Sequence, residues 1–403
     1  MVRLAITLFL LQCGYHAFTA SMPVALTGAG VSDPTIGLIV GSAAAVQVPA
    51  AFLAGALLDR FGGVRILYAG AIAYLLGSLI VLAPVTEPGD STLPFFAARI
   101  FQGIGLAGTL PAALSLVPNL VPGVRRGLGL AFINSAHNLT IVALPPLSLA
   151  VLGWSSLHGV ALGAIAVVLL GLVVGLGLPR MLLRANALSQ EGTASTPWPS
   201  GQVIGTPASR TLGFAFRRSW LGPLLVVLLY VIHWGVLTAY LPSRAERAGA
   251  DIGLFFAADG AAILLSRLPV GWLTDRVSRH WLVLAGLVIT LVAVVVVLPP
   301  PTTTVLVISG ALTGIGAGFA LTPNLLELSH RSDESDRGSA FSLFSAALAA
   351  ALVIGSIGSA PVVVIWGFEG AAIAAIGGLI LSAVVVIWES SVSPNRAARR
   401  RLV

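Results

Sequence analysis

The 403-residue chain has little or none of several residue types that soluble, metal-binding and nucleotide-binding proteins depend on. Charged residues make up only 9% of it, against about 25% in a typical soluble protein, so most of the chain cannot face water. Its single cysteine, Cys13, excludes a disulfide framework or a cysteine-rich metal site. Lysine is absent, so a Gly-x-x-x-x-Gly-Lys phosphate loop is absent too. There is also no His-x-x-x-His pair and no Gly-x-Ser-x-Gly elbow, which disfavours a zinc site or a serine hydrolase.

Long apolar runs take the place of those residues, and 57% of the chain is hydrophobic. Each run is long enough to cross a bilayer as a helix, which needs about 20 apolar residues. The runs are continuous rather than alternating, which excludes a small membrane β-barrel and leaves helices. The sequence therefore predicts an all-α membrane protein with twelve spans, at 4–26, 34–58, 65–85, 93–117, 127–152, 157–178, 219–241, 252–273, 281–299, 302–326, 338–364 and 369–388.

The arginines indicate the orientation of these spans. If both termini are cytoplasmic, only Arg244 and Arg247 fall outside, Arg99 and Arg267 fall within spans, and the other 18 of the 22 arginines fall inside. This positive-inside bias accounts for the net charge of +7 without a nucleic-acid partner. We therefore expect a multi-pass protein of the cytoplasmic (inner) membrane. Arg3 and Leu10–Cys13 resemble a lipoprotein signal, but Gln12 stands where a small residue is needed, so the first span is expected to be retained.

The two halves of the chain resemble each other at offsets of 219, 216 and 211 residues. The matching segments are Phe18–Pro23 with Leu237–Pro242, Gly55–Arg60 with Gly271–Arg276, Gly103–Gly105 with Gly314–Gly316, and Arg126-Gly127 with Arg337-Gly338. Parallel six-helix repeats are a transporter architecture with the substrate site near the bilayer midplane. We predict an N-terminal half at 1–178, a cytoplasmic linker at 179–218, a C-terminal half at 219–390 and a basic cytoplasmic tail at 391–403.

The loop between the second and third spans carries the most specific motif. Its sequence from Gly55 to Arg65 is similar to the Gly-x-x-x-Asp-Arg-x-Gly-x-x-Arg signature of the major facilitator superfamily. The second copy, from Gly271 to Arg279, keeps Gly, Asp and Arg but has Ser278 where the later Gly is expected. Arg99-Ile100-Phe101-Gln102-Gly103 is similar to the Arg-x-x-Gln-Gly motif of the proton-coupled branches. The stretch from Gly253 to Arg267 also resembles small bacterial drug–proton antiporters.

The resemblance implies a function for the loop motif. Glycine at 55 and 62 permits close helix packing and a tight turn. In the superfamily the matching Asp docks at the start of the eleventh helix and holds the halves shut on the cytoplasmic side, so Asp59 is expected to face Gly338 and Ser339. The expected conformational latch comprises Gly55, Asp59, Arg60, Gly62, Arg65, Gly271, Asp275, Arg276 and Arg279. A plain positive-inside loop with one counter-ion is the alternative.

Polar residues inside the spans are the best candidates for binding substrate or protons, because burying polar groups in lipid is costly. Several share one helix face at i, i+3 and i+4 spacing. The candidate substrate cavity comprises Gln12, Tyr15, His16, Arg99, Gln102, Asn134, His137, Asn138, Tyr230, His233, Trp234 and Arg267. Interhelical hydrogen bonding within a packed bundle is the alternative for each.

Asp259 is the one acid well inside a span, and we expect it to be the main proton site. Removal from water disfavours the charged form of a carboxylate, so such a group can bind and release a proton. Arg267, two turns further along the same span, would oppose that effect if it reaches Asp259. His16 and His233 are the reserve candidates for proton coupling.

Together these features predict a secondary active transporter of alternating-access type, not an enzyme, with no cofactor beyond a proton gradient. The leading prediction is proton-coupled efflux of a small organic or drug-like solute by a monomer. Two departures from the antiporter pattern leave an alternative open. The fifth span has Ala143–Ser148 in place of a Gly-Pro-x-x-Gly-Gly element, and the first span lacks an acid. The alternative is a proton-coupled importer of a small anionic metabolite, and a non-transporting membrane receptor or assembly partner is the third possibility.

Overall fold

The computed structural model of the chain describes residues 1–82, 92–121, 126–181, 217–274, 276–332 and 337–400. Within these ranges the ordered elements are all helices. The chain divides into two compact units, Met1–Gly30 with Ser42–Leu212, and Val31–Gly41 with Gly213–Val403. Most of the predicted linker at 179–218 lies outside the described residues, so the predicted domain boundaries stay predictions.

The first unit is built from the first seven helices. They are α1 (Val2–His16), α2 (Phe18–Gly28), α3 (Asp33–Phe61), α4 (Gly63–Ile80), α5 (Leu93–Leu116), α6 (Arg126–Trp154) and α7 (Leu157–Gly175). The first residues of α3, up to Gly41, belong to the second unit. The core of the first unit forms where α1, α4, α5 and α7 meet, with Leu4, Leu67, Tyr74 and Val168 fully buried.

The second unit contains the other six helices. They are α8 (Leu221–Arg247), α9 (Ile252–Leu273), α10 (Arg279–Val296), α11 (Thr303–His330), α12 (Arg337–Val353) and α13 (Ala360–Arg400). A π-helical turn, Ile354–Gly358, joins α12 to α13. A non-helical residue, Gly367 (φ 66°, ψ −166°), divides α13 into two parts.

The predicted spans agree with these helices. Eleven helical segments among the described residues are long and apolar enough to cross a membrane. A shorter apolar helix, Leu343–Gly358, lies within the predicted eleventh span. The predicted break between the last two spans, at 364–369, falls at the Gly367 kink. The fold class predicted from the sequence is therefore confirmed.

Glycine positions set how closely the helices approach within each unit. A Cβ added to Gly103 of α5 would collide with the backbone carbonyl of Ala43 in α3. In the second unit, a Cβ on Gly314 of α11 would collide with the backbone carbonyl of Asp259 in α9. Such contacts require glycine, since any side chain would push the two backbones apart. Each of these helix pairs therefore packs backbone to backbone at the level of the polar residues described next.

Candidate functional site

In the first unit, four of the predicted cavity residues form a buried polar cluster. Gln12 and His16 come from α1, and Arg99 and Gln102 come from α5. Their exposed fractions are 0%, 7%, 1% and 0%, in that order. A membrane helix buries such groups only where they have partners or a function, so the cluster is the first candidate site.

Hydrogen bonds hold part of this cluster in place. The Gln12 Nε2 donates to Thr109 Oγ1 at 3.1 Å, and the Tyr74 hydroxyl lies 3.2 Å from the same oxygen. One Arg99 Nη donates to Gln102 Oε1 at 3.0 Å. The Arg99 guanidinium also lies over the Tyr15 ring, with Cζ 4.9 Å from the ring centroid, a cation–π contact. Thr109 and Tyr74 were not predicted from the sequence, because their spacing marks no pattern until α4 and α5 are packed together.

Aromatic rings continue the cluster from α1 to α6. The Tyr15 and His16 rings meet edge to face, with centroids 4.9 Å apart, and His16 lies 5.8 Å from the ring of His137. Several buried atoms of this group have no hydrogen-bond partner in the described part of the chain: Gln12 Oε1, His16 Nε2, Gln102 Nε2 and His137 Nδ1. Bundle packing alone leaves such atoms unpaired only at a cost of about 1–3 kcal/mol each.

The polar face of α6 lies at the edge of this cluster. Asn134 is exposed, whereas His137 and Asn138 are half-buried. The Asn134 side chain donates to the Leu130 carbonyl one turn earlier, at 3.1 Å. Exposed polar residues of a membrane helix face water or protein rather than lipid, so this face of α6 marks the open side of the cluster.

The charged side chains that the structure describes in the first unit are all positive. Arg99 is buried there, and none of the side chains that the structure describes in this unit is acidic. The electrostatic character of the cluster is therefore positive, and it favours an anionic ligand over a cationic one.

In the second unit, Asp259 of α9 is the buried acid, with 4% exposure. Its Oδ1 has no hydrogen-bond partner within the described residues. The carboxylate lies close enough to the Tyr230 hydroxyl to interact with it electrostatically. That hydroxyl is paired with Thr290 Oγ1 of α10 at 3.1 Å. Thr290 was not predicted as part of the site. The side chain of Arg267 lies outside the described residues, so its predicted effect on Asp259 is untested.

Three predicted residues of α8 lie in the same unit as this acid and make ring contacts of their own. The His233 ring meets the Tyr230 ring at 4.8 Å and hydrogen-bonds through Nδ1 to the Tyr230 carbonyl. Trp234 stacks on Phe255 at 6.3 Å and meets Phe256 edge-on at 6.1 Å. Tyr230 and His233 thus form one ring pair, whereas Trp234 packs against α9 at Phe255, one turn before Asp259.

The two predicted latch loops differ in backbone conformation. Gly62, the N-cap of α4, has φ 79°, which is the tight turn expected of a glycine. Ser278, the N-cap of α10, has φ −60° and needs no glycine. A Cβ on Gly55 or Gly271 would meet no described atom within 4 Å, so the close packing expected at Gly55 is not found in the described structure. The side chains of Asp59 and Asp275, and those of 337–339, lie outside the described residues.

The arginines of these loops have neighbours of their own. Arg60 lies over Phe61 at 5.2 Å and Arg276 over Trp272 at 3.8 Å, whereas Arg65 is exposed. Arg279 pairs with Glu327 at 3.2 Å.

Glu327 belongs to a network of charges between the end of α11 and Glu389 of α13 that sequence reasoning missed. Arg331 pairs with Glu327 at 2.8 Å and with Glu389 at 2.7 Å. The i, i+4 spacing of Glu327 and Arg331 is a signal that could have revealed half of it. Among the described residues, no group of three or more His, Cys, Asp or Glu side chains gathers to hold a metal ion.

Known proteins that resemble the chain are transporters. It is 25% identical over 284 residues to the 4-hydroxybenzoate transporter PcaK of Pseudomonas putida, covering 62% of this chain and 60% of that one. It is 27% identical over 252 residues to the niacin transporter NiaP of Acinetobacter baylyi, covering 57% and 56%. A probable chloroplastic anion transporter of Oryza sativa is 33% identical over 131 residues, covering 32% and 22%. The chain thus spans less than two thirds of the length of these relatives.

Solved structures and a family model agree on the fold. A POT family transporter in complex with 5-aminolevulinic acid superposes with a TM-score of 0.73 at 15% identity, covering 98% of this chain and 96% of that one. The nucleoside transporter NupG gives 0.71 at 15% identity, covering 96% and 98%. The model of the Major Facilitator Superfamily matches residues 4–258 and 248–402. The chain therefore belongs to the Major Facilitator Superfamily, whose members are membrane transporters and not enzymes.

Proposed function

We propose that this protein takes up a small organic monocarboxylate, driven by a proton gradient. The observation that carries the proposal is buried Arg99, surrounded by hydrogen-bonding side chains in a unit whose described side chains include no acid. A buried guanidinium binds a carboxylate strongly, because both partners are charged and the pairing is bidentate. An organic cation would find no counter-charge among these residues.

The names of the relatives support an anionic substrate. Hydroxybenzoate and niacin, named for PcaK and NiaP, are aromatic carboxylic acids, and the rice relative is named as a probable anion transporter. An aromatic monocarboxylate also suits the neighbours of Arg99, since Tyr15 and His16 offer ring surfaces beside the charge.

The membrane potential explains why coupling to protons suits uptake of an anion rather than its export. A negative interior opposes entry of an anion by about 2.3 kcal/mol per charge per 100 mV and favours its exit by the same amount. Export of an anion therefore runs without a coupling ion, whereas uptake requires cations to enter with it. Asp259, a buried acid with one unpaired oxygen, is the residue we assign to carry the proton. Efflux of a drug-like solute, the leading prediction from the sequence, stays a prediction that the same experiment tests.

Reconstitution into proteoliposomes with an imposed pH gradient tests the proposal. With the acid side outside, we expect labelled benzoate-type acids to accumulate faster than they do in protein-free liposomes, and tetraethylammonium, a membrane-impermeant organic cation, not to move. Arg99→Gln should lower kcat/KM for the acid roughly 100-fold, the value expected for about 3 kcal/mol lost with a buried charge-assisted contact. Transport of the cation by the wild-type protein, with none of the acids moved, would contradict the proposal and favour efflux.

The matched control is Arg180→Gln. Arg180 follows α7 at the surface of the same unit and is exposed, so the same loss of charge should leave kcat/KM unchanged. An equal loss in both variants would mean that the effect of Arg99→Gln is a general effect of net charge.

We also propose that both termini, and residues 179–218, lie in the cytoplasm, from the arginine distribution. A cysteine replacing Ser195 should resist an impermeant maleimide in intact cells, whereas one replacing Ser91 should react. The reverse labelling would contradict this orientation. The monomeric state, the absence of a nucleic-acid partner and the latch function of the loop motif stay predictions.

A further inference from the structure

His16 of α1 and His137 of α6 face each other in the first unit. Their ring centroids are 5.8 Å apart and the ring planes are inclined by 58°. His16 is 93% buried, since its exposed fraction is 7%. His16 Nε2 and His137 Nδ1 are both inaccessible to solvent, and neither has a hydrogen-bond partner among the described residues. Two unpaired buried nitrogens in adjacent rings suit a ligand better than they suit core packing.

The chemistry of the pair favours a group that can both donate and accept a hydrogen bond; a carboxylate would serve as well only when both unpaired nitrogens carry a proton. A neutral imidazole has one N–H donor and one bare nitrogen acceptor. A hydroxyl group is both donor and acceptor, so one hydroxyl can satisfy two facing imidazoles. Its O–H donates to the bare nitrogen of one ring, and its oxygen accepts from the N–H of the other. A carboxylate only accepts, so it cannot satisfy a bare nitrogen.

The neighbours of the pair extend the argument to the rest of the ligand. Tyr15 lies edge-on to His16, and Arg99 lies over Tyr15 and close enough to His16 for an electrostatic interaction. Gln102 Nε2, beside the arginine, is a further buried donor with no partner in the part of the chain that the structure describes. A positive group and an amide donor therefore accompany the rings of Tyr15 and His16, and His137 adds a second imidazole from α6.

We propose that His16 and His137 bind the hydroxyl group of a hydroxylated aromatic monocarboxylate, while Arg99 and Gln102 bind its carboxylate. This assignment rests on the proposed function and makes the histidine pair the specificity-determining element of the same site. The aromatic ring packs against Tyr15 and His16. An unsubstituted acid leaves both histidine nitrogens unpaired, which is the arrangement by which a site rejects an analogue lacking a hydroxyl.

The test compares 4-hydroxybenzoate with benzoate in proteoliposomes carrying the wild-type protein or His137→Phe. Phenylalanine keeps the ring and removes both hydrogen-bonding nitrogens. We expect the wild-type protein to prefer 4-hydroxybenzoate, and His137→Phe to lower its kcat/KM about tenfold or more, as for loss of a buried hydrogen bond. Benzoate should change by less than about twofold, because it makes no hydrogen bond there.

Two further variants separate binding from folding. His158→Phe makes the same change at an exposed histidine of α7 in the same unit, and it should leave the ratio of the two substrates unchanged. His137→Gln retains a donor and an acceptor, so it should recover part of the preference for 4-hydroxybenzoate. It also provides the measurement if His137→Phe does not give a monodisperse protein.

Each outcome has a distinct meaning. Equal losses for both substrates in His137→Phe and His137→Gln would assign His137 a structural role and overturn the inference. An unchanged substrate ratio would place the hydroxyl elsewhere and overturn it as well. Failure of the wild-type protein to carry either acid would instead overturn the proposed function, and the inference with it.

Discussion

The two units use the same glycine positions but different charged residues at the level of their polar sites. The 216-residue offset of the internal repeat aligns Ala43 with Asp259. Gly103 presses on the backbone of Ala43 as Gly314 presses on that of Asp259. The 211-residue offset aligns Arg99 with Gly310, which contacts the backbone of Phe255. Among the described side chains, the buried acid therefore lies in the second unit and the buried arginine in the first.

This difference distinguishes the glycines, which set the packing of the helices, from the charged residues, which we expect to carry the function. Backbone contact at a glycine depends only on the absence of a side chain, so both halves need it wherever two helices come close. A buried charge is costly and is retained only where it acts. The internal repeat thus gives both units the same helix packing. In our proposal the buried charges differ in function: that of the first unit binds the anion, and that of the second binds the proton.

We expect the largest effect when Asp259, the buried acid of the second unit, is replaced. Asp259→Asn removes the acid while keeping its shape, so accumulation against a gradient should fall to the equilibrium level while downhill exchange of substrate continues. Asp251→Asn is the matched control on the same helix. Asp251 caps α9 by accepting from the Gly253 amide, and Asn caps a helix equally well.

The measurement is uptake into proteoliposomes with and without an imposed pH gradient. If Asp259→Asn still concentrates substrate, the proton binds elsewhere. His16→Gln and His233→Gln then become the next variants to measure.

A smaller effect tests the glycine positions that the two units share. Gly314→Ala and Gly103→Ala each place a Cβ against backbone of the neighbouring helix. Overpacking of this kind costs typically about 1–3 kcal/mol, so both variants should unfold at a lower temperature in detergent. Gly271→Ala, where a Cβ would meet no described atom within 4 Å, should match or exceed the wild-type stability by up to about 1 kcal/mol.

Thermal unfolding of the purified variants distinguishes these cases. If Gly314→Ala and Gly271→Ala have the same midpoint, the close approach of α11 to α9 does not limit stability. The conclusion that the shared glycines set the helix packing of both units would then be wrong.

The smallest effect compares the threonine hydrogen bonds of the two sites. Thr290→Val removes one hydrogen bond, to Tyr230, and Thr109→Val removes two, to Gln12 and Tyr74. Each hydrogen bond contributes about 0.5–1.5 kcal/mol, so Thr109→Val should lower the unfolding temperature more than Thr290→Val does. The reverse order would indicate that the Tyr230–Thr290 pair carries more of the stability than its number of hydrogen bonds suggests.

The sequence predicted the spans well because their signal is local. Continuous apolar stretches bounded by charges or Pro mark each helix without reference to its neighbours. The predicted break near 364–369 coincides with the kink at Gly367 for the same reason. Helical spacing likewise predicts that Gln12, Tyr15 and His16 share one face of α1.

The residues that these side chains contact could not be predicted from the sequence, because helical spacing defines which residues share a face but not which helix packs against that face. Thr109 accepts from Gln12 although 97 residues separate them. His137 was predicted together with Asn134, yet His137 meets His16 while Asn134 bonds to its own helix. The ion pair of Arg331 with Glu389 likewise joins the end of α11 to α13, a contact that no spacing in the sequence indicates.

The sequence by itself determined that the chain is helical, that it spans a membrane and that it repeats, because hydrophobicity and spacing act along the chain. It also placed the charged residues Arg99, Arg267 and Asp259 inside the predicted spans. Only the tertiary structure decided which polar groups meet: Arg99 over Tyr15, His16 against His137, and the Tyr230 hydroxyl with Thr290. Contacts between helices depend on which faces pack together, and in each unit that packing is set by glycines whose partners lie far away in the sequence.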